Sequence, residues 1–143
     1  MIRTRTLVGL VGVTSLAAVG AMGAPAFAGT SSHTMTFTSR QLQSQQTGNH
    51  LMQANRDLVA GKTIGFDVSS CTFDFATGIA TCDVAAAMAN GTFYARVTVD
   101  GENGDVSGRV TGGTGAFNGA TGRVTGSPGS LPSDVTIKIV YRT

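Results

Sequence analysis

Beyond position 28 the chain alternates apolar and polar residues with a period of two almost throughout, in runs rich in Val, Ile, Thr and Phe. Alternation of that period puts successive side chains on opposite faces of an extended backbone, so it predicts strands with one buried face. Glycines and an Asn-Gly pair punctuate the runs every dozen or so residues. The pattern predicts eight strands, near residues 34–45, 50–59, 62–74, 79–89, 92–100, 105–111, 121–126 and 134–142. In the one rival helical segment, 41–60, Leu42, Leu51, Met52, Leu58 and Val59 could share a helix face, but Thr47-Gly48-Asn49 interrupts it.

Turn chemistry then predicts which side chains face inward. Asn90-Gly91 reads as a two-residue hairpin turn, pairing Ala89 with Thr92 and hence Met88 with Phe93, Ala86 with Ala95 and Val84 with Val97. If Cys71 pairs with Cys82 across the preceding hairpin, then Ser69, Asp67 and Gly65 join that same face. Val106, Val110, Val135, Ile137, Ile139 and Tyr141 complete it, while Asp83, Tyr94, Arg96, Thr98, Ser107, Arg109, Asp134, Thr136 and Lys138 face water. Short antiparallel strands with one apolar face close into a barrel or stack as a sandwich. The short turns favour an eight-stranded antiparallel barrel in meander order, just wide enough for packed side chains or one small ligand.

The densest glycine segment is Gly112-Gly113-Thr114-Gly115-Ala116-Phe117-Asn118-Gly119-Ala120-Thr121-Gly122, between two of the predicted strands. The glycines there read as strand-end bends and close backbone approach. A phosphate loop does not fit, because Gly-x-Gly-x-x-Gly breaks at Asn118, no Lys-Ser/Thr follows, and no helix is predicted after it.

Arg3 and Arg5, an apolar run from Leu7 to Ala24 and Ala26-Phe27-Ala28 before Gly29 form a secretory signal pattern with an Ala-x-Ala cleavage site. Residues 1–28 are therefore expected to be removed, leaving a single secreted domain over 29–143 with no stable membrane insertion. Removing Arg3 and Arg5 leaves eight Lys/Arg against eight Asp/Glu, and no basic run that would bind nucleic acid. Export also places Cys71 and Cys82 where a disulfide persists. Closing that loop contributes about 3 kcal/mol in the chain-entropy model. The rival reading, a catalytic or metal-bound thiol, lacks a nearby partner, since His33 and His50 are distant in sequence from either cysteine.

Thr63-Ile64-Gly65 leading to Cys71, Cys82 on the next strand, Gly91 opening a strand, and the segment Val110–Gly122 together resemble the allene oxide cyclase barrel-like and dirigent-like family. The resemblance runs from about Asn49 to Tyr141, and its most specific part is Gly112, Gly113 and Gly115 with the later Gly119 and Gly122. It implies an eight-stranded antiparallel barrel, often a homotrimer, with an apolar cavity. Members include plant cyclases acting on fatty-acid epoxides and dirigent proteins that steer phenoxy radical coupling. Many dirigent proteins have Ala-Arg-Gly where this chain has Ala120-Thr121-Gly122, so no arginine role carries over at that point.

Asp67 is the foremost candidate for chemistry, because the expected register puts its carboxylate on an otherwise apolar face. A carboxyl there either holds its proton, becoming an acid or base, or pairs with a cation. If Ala60-Gly61 turns the hairpin before it, Arg56 lies one diagonal step away on the same face, and Tyr141 adds a phenol. Asp67, Arg56 and Tyr141 would then polarise or orient an oxygenated molecule; the plainer reading is an ion pair of Asp67 with Arg56 at the barrel mouth. Tyr94 and Arg96 read as a solvated face, His50 as exposed, and Asn90-Gly91-Thr92 as a turn that also fits a glycosylation sequon. No metal constellation, nucleophile elbow or zinc-protease motif is present, and no cofactor is expected. Three functions compete: a barrel that binds a small apolar or aromatic ligand, a cyclase, isomerase or dirigent-like enzyme that steers a reactive intermediate, and an inert extracellular module.

Overall fold

The β-branched alternating runs form strands, and the last strand returns to the first. The computed structural model describes residues 31–143. The strands are β1 Ser32–Thr47, β2 His50–Val59, β3 Lys62–Asp74, β4 Ile79–Met88, β5 Gly91–Asp100, β6 Val106–Gly113, β7 Thr121–Pro128 and β8 Asp134–Arg142. Each pairs antiparallel with its sequence neighbours, and β1 also pairs with β8, closing an eight-stranded barrel with no free edge. The expected strands and meander order are thus borne out, including β2 across the segment that a helix could have claimed. The secretory signal, residues 1–28, lies outside the described residues.

Alternation fills the barrel from inside: Phe37, Ala86, Phe93, Val97, Val124 and Ile139 are all buried and belong to one core. Cys71 and Cys82 sit opposite each other in the β3–β4 ladder and form the expected disulfide. That register pairs Ser69 with Val84, Asp67 with Ala86 and Gly65 with Met88, placing all of them on the inner face as the sequence implied.

The two ends of the barrel differ. At one end the turns are short, and the loop after β6 folds back as a 3₁₀ turn, Gly115–Phe117. Phe117 from this turn stacks on Phe93 with ring centroids 3.8 Å apart, and Tyr141 meets Phe93 edge-on at 4.8 Å. These rings plug that end. At the other, Gly104 of the β5–β6 connection, Pro128 at the end of β7 and Pro132 of the β7–β8 connection border an internal cavity.

Three expectations about register need correction. First, the β4–β5 turn is Ala89-Asn90, with Met88 opposite Gly91, so Ala86 pairs with Phe93 and Val84 with Ala95. The slip is two residues, which keeps every side chain on its expected face. Gly91 opens the strand at φ 148° because the loop of the 3₁₀ turn lies against it: a Cβ there would run into the Thr114 carbonyl. Second, Ala60-Gly61 does turn the β2–β3 hairpin, with φ of 49° and 76°, but Leu58 pairs with Thr63 and Asp57 with Gly65. Ile64 is an extra residue, and this bulge moves β2 by one position relative to β3. Arg56 therefore faces outward, exposed, opposite Phe66. Third, Asp134 is buried and not water-facing, because the 129–133 connection folds over it, with Asp134 N–H donating to the Leu131 carbonyl and Gly129 N–H to the Asp134 carbonyl.

Candidate functional site: a carboxyl pair in an apolar cavity

Inward-facing residues of all strands enclose a cavity of about 400 Å³. Its wall is mainly apolar, with Leu51, Phe73, Val84, Ala95, Val97 and Ile137 among the lining side chains. Apart from Asp134 at the start of β8, the polar groups converge from one side. Asp67 on β3 accepts a hydrogen bond from the Ser39 hydroxyl at 2.7 Å on one oxygen and from the Asn55 amide at 2.6 Å on the other. Ser39, Asn55, Asp67, Gln53 and Ser69 all line the cavity, so they form a polar strip on β1–β3 facing apolar walls from β4–β8.

The bulge at Ile64 determines who joins this strip. It turns Asn55 and Asp57 inward, and Asp57 lies diagonal to Asp67, opposite Gly65. Gly65 is required there by close packing, since a Cβ would run into the Ala87 carbonyl and the Met88 sulfur. Asp57 is 0 % exposed, and neither of its oxygens has a hydrogen-bond partner among the described residues. Burial, and then the Asp67 carboxyl beside it, push the Asp57 carboxyl up to about 8. Asp57 thus holds its proton at neutral pH. The Ser39 and Asn55 donors fix the neighbouring carboxyl, so one acid and one acceptor stand side by side.

The cavity rim carries a second carboxylate, Asp134, clamped by Arg40 through two contacts of 2.9 Å. The guanidinium holds the Asp134 carboxyl below the usual carboxylate range, mainly through this hydrogen bond. On the outer wall Arg96 grips Asp83 in the same forked manner at 2.8 and 3.0 Å, as a water-facing position allows.

Of the three residues singled out from sequence, the structure puts only Asp67 in the cavity wall. Arg56 is excluded by the bulge, and Tyr141 faces inward but belongs to the aromatic plug, stacked on His33 at 5.2 Å and packed on Phe93 and Phe117. His50 is exposed near Thr72. The inward faces of Asp57 and Asn55 depend on Ile64, whereas Ser39 faces inward through its pairing with Val135 of β8. The available signal was Gly65 opposite the hairpin: a glycine mid-strand marks a bulge or a close approach. Of the glycines Gly112, Gly113, Gly115, Gly119 and Gly122, Gly113 lies against Phe117 and Thr92, and Gly115 against Asn90, where the loop seats the plug. No group of three metal-ligating side chains occurs among the described residues.

No protein-family model and no curated protein matches the sequence. Solved structures do match. A pyocyanin demethylase superposes with a TM-score of 0.65 at 20% identity, covering 76% of this chain and 99% of that one. AbnU, an exo-specific intermolecular Diels-Alderase, gives 0.64 at 12% identity, covering 79% and 99%. The pterocarpan synthase dirigent protein GePTS1 gives 0.63 at 14% identity, covering 92% and 96%. The closed eight-stranded barrel, expected from the alternation and short turns and implied by the family resemblance, is the fold that this chain shares with these cyclase and dirigent barrels.

Proposed function

We propose that this is a secreted barrel that holds one small apolar or aromatic molecule in its cavity, with Asp67 orienting a polar group of that molecule. The observation that carries this reading is the pairing of a cavity of about 400 Å³, apolar on most sides, with one convergent polar group. The disulfide fits an oxidising compartment, and among the described residues no helix is long and apolar enough to cross a membrane. Thermal shift and native mass spectrometry against panels of phenolics, neutral aromatics and lipids test it. A one-to-one complex with members of a panel is expected; no shift with any class would leave the barrel an inert module.

A cyclase-like or dirigent-like enzyme is the second reading, favoured by the juxtaposition of protonated Asp57 with Asp67. Asp67 would touch the reacting molecule and Asp57 would resupply its proton, while the apolar walls exclude water and fix one conformation. The fold shared with a demethylase, Diels-Alderases and a dirigent protein agrees with such a role. Arg56 has no part in it, and Tyr141 acts by closing the cavity end. Asp67→Asn is expected to abolish turnover of any substrate found while sparing the fold; unchanged turnover would remove the enzyme reading.

The homotrimer implied by the family resemblance has a candidate contact face. Ala54, Val68, Ala85 and Tyr94 form one cross-strand row on the outside of β2–β5, with Val68 56% and neighbouring Met52 62% exposed. Apolar side chains in a continuous outward row suit a second copy of the chain better than water.

A further inference from the structure

The cavity has an unbalanced charge. Among the described residues, Asp67 and Asp134 are the only ionisable side chains that line it, and no Lys, Arg or His belongs to its wall. Asp134 is neutralised by the forked Arg40 contact at the rim. Asp67 has no cation: the arginine expected beside it, Arg56, is on the outer surface. Two neutral donors, Ser39 and Asn55, hold one lone pair on each of its oxygens, leaving acceptor capacity free. Behind it Asp57, fully buried and protonated at neutral pH, is neutral and brings no positive charge to offset Asp67. A carboxylate in an apolar enclosure is costly without a positive partner. Nothing in the described chain supplies one.

We propose that the ligand supplies it: the cavity selects organic monocations, apolar aromatic or alicyclic bodies bearing one protonated amine or ring nitrogen, whose N–H donates to the free side of Asp67. The proposal rests on the small-ligand reading above and narrows it to a chemical class. The cation would enter from the end bordered by Gly104, Pro128 and Pro132, past Asp134 and Arg40, whose charges cancel and so neither repel nor trap it. The apolar body packs against Val84, Ala95 and Val97 across from the polar strip. Anions are disfavoured by the Asp67 carboxylate, and among the described residues no group of three side chains is placed to hold a metal ion.

A matched triplet tests this on the native chain at pH 7: 1-naphthylmethylamine, 1-naphthalenemethanol and 1-naphthoate share a ring system and differ in head group. Isothermal titration is expected to rank the amine about tenfold or more tighter than the alcohol, as a charge-assisted hydrogen bond requires, with naphthoate weakest. Asp67→Asn is expected to erase the amine's advantage while leaving the alcohol's affinity. Equal affinities for amine and alcohol, or a preference for naphthoate, overturn the charge proposal and leave the cavity reading standing. Failure of all three to bind overturns both. The ranking on the unmodified chain decides the matter even where Asp67→Asn does not fold.

Discussion

At the scale of single residues, Asp57 and Asp67 show how neighbours divide two identical side chains into different roles. Asp67 receives two hydrogen bonds, whereas Asp57 receives none and is buried, so burial and its neighbour raise it to about 8. An unfolded Asp57 would ionise near pH 4, and the folded one does not until about pH 8. Between these values the unfolded state binds fewer protons than the folded state, so stability falls as pH rises, at up to about 1.4 kcal/mol per pH unit. Asp134, Asp83 and Asp74 are shifted downward and act with the opposite sign, losing stability only as pH falls below the ordinary carboxylate range. Thermal melts from pH 4 to pH 8 are therefore expected to show a declining midpoint in the native chain and a flatter one in Asp57→Asn. Parallel curves for the two would show that Asp57 is not the group responsible. Gly91 gives a second residue-scale expectation. Gly91→Ala puts a methyl into the Thr114 carbonyl at an unfavourable φ, and a loss of about 1–3 kcal/mol in urea unfolding should follow.

Among the elements, β3 and β4 were legible because their register is pinned by chemistry that sequence displays: two cysteines on one hairpin fix Asp67 opposite Ala86. The neighbouring pair β2 and β3 was legible as strands and as a hairpin, yet not as a face. Its Ala60-Gly61 turn was read correctly, but Ile64 adds one residue, and with a side-chain period of two that single addition exchanges Arg56 for Asn55 and Asp57 inside the barrel. Ile64 itself is a good strand residue and does not announce the bulge; the local sign of it is Gly65 next to it in mid-strand. In the next hairpin the Asn90-Gly91 signal was real but belonged to a different contact: Gly91 is required by the loop after β6, a segment distant in sequence. Asp134 departs from the alternation for a similar reason, being covered by a connection whose path alternation does not encode. Replacing both cysteines by serine should destabilise the β3–β4 hairpin by about 3 kcal/mol without changing the fold, measured by urea unfolding against the oxidised chain. An equal loss on adding reductant to the native chain would locate the effect in the cross-link.

Over the whole molecule, closure leaves no free sheet edge among the described strands, and the two ends are finished differently: an aromatic plug at one and, at the other, Gly104, Pro128 and Pro132 bordering the cavity. The outcome is a container whose outer wall also carries the apolar row through Val68. If that row seats further copies, light scattering should give three times the mass of the mature chain, and Val68→Lys should return it to one; a monomer in the native protein would remove the trimer. Sequence displayed the container through alternation and turn spacing, but the identity of its polar strip required three-dimensional register. The most direct measurement of the central claim, that the cavity is the binding site, is isothermal titration of 1-naphthylmethylamine into the native protein and into Ala95→Phe, which fills the cavity from β5. One-to-one binding with a negative heat-capacity change in the native protein, and none in a folded Ala95→Phe, is the result expected. Equal binding to both would place the ligand outside the barrel and contradict the account.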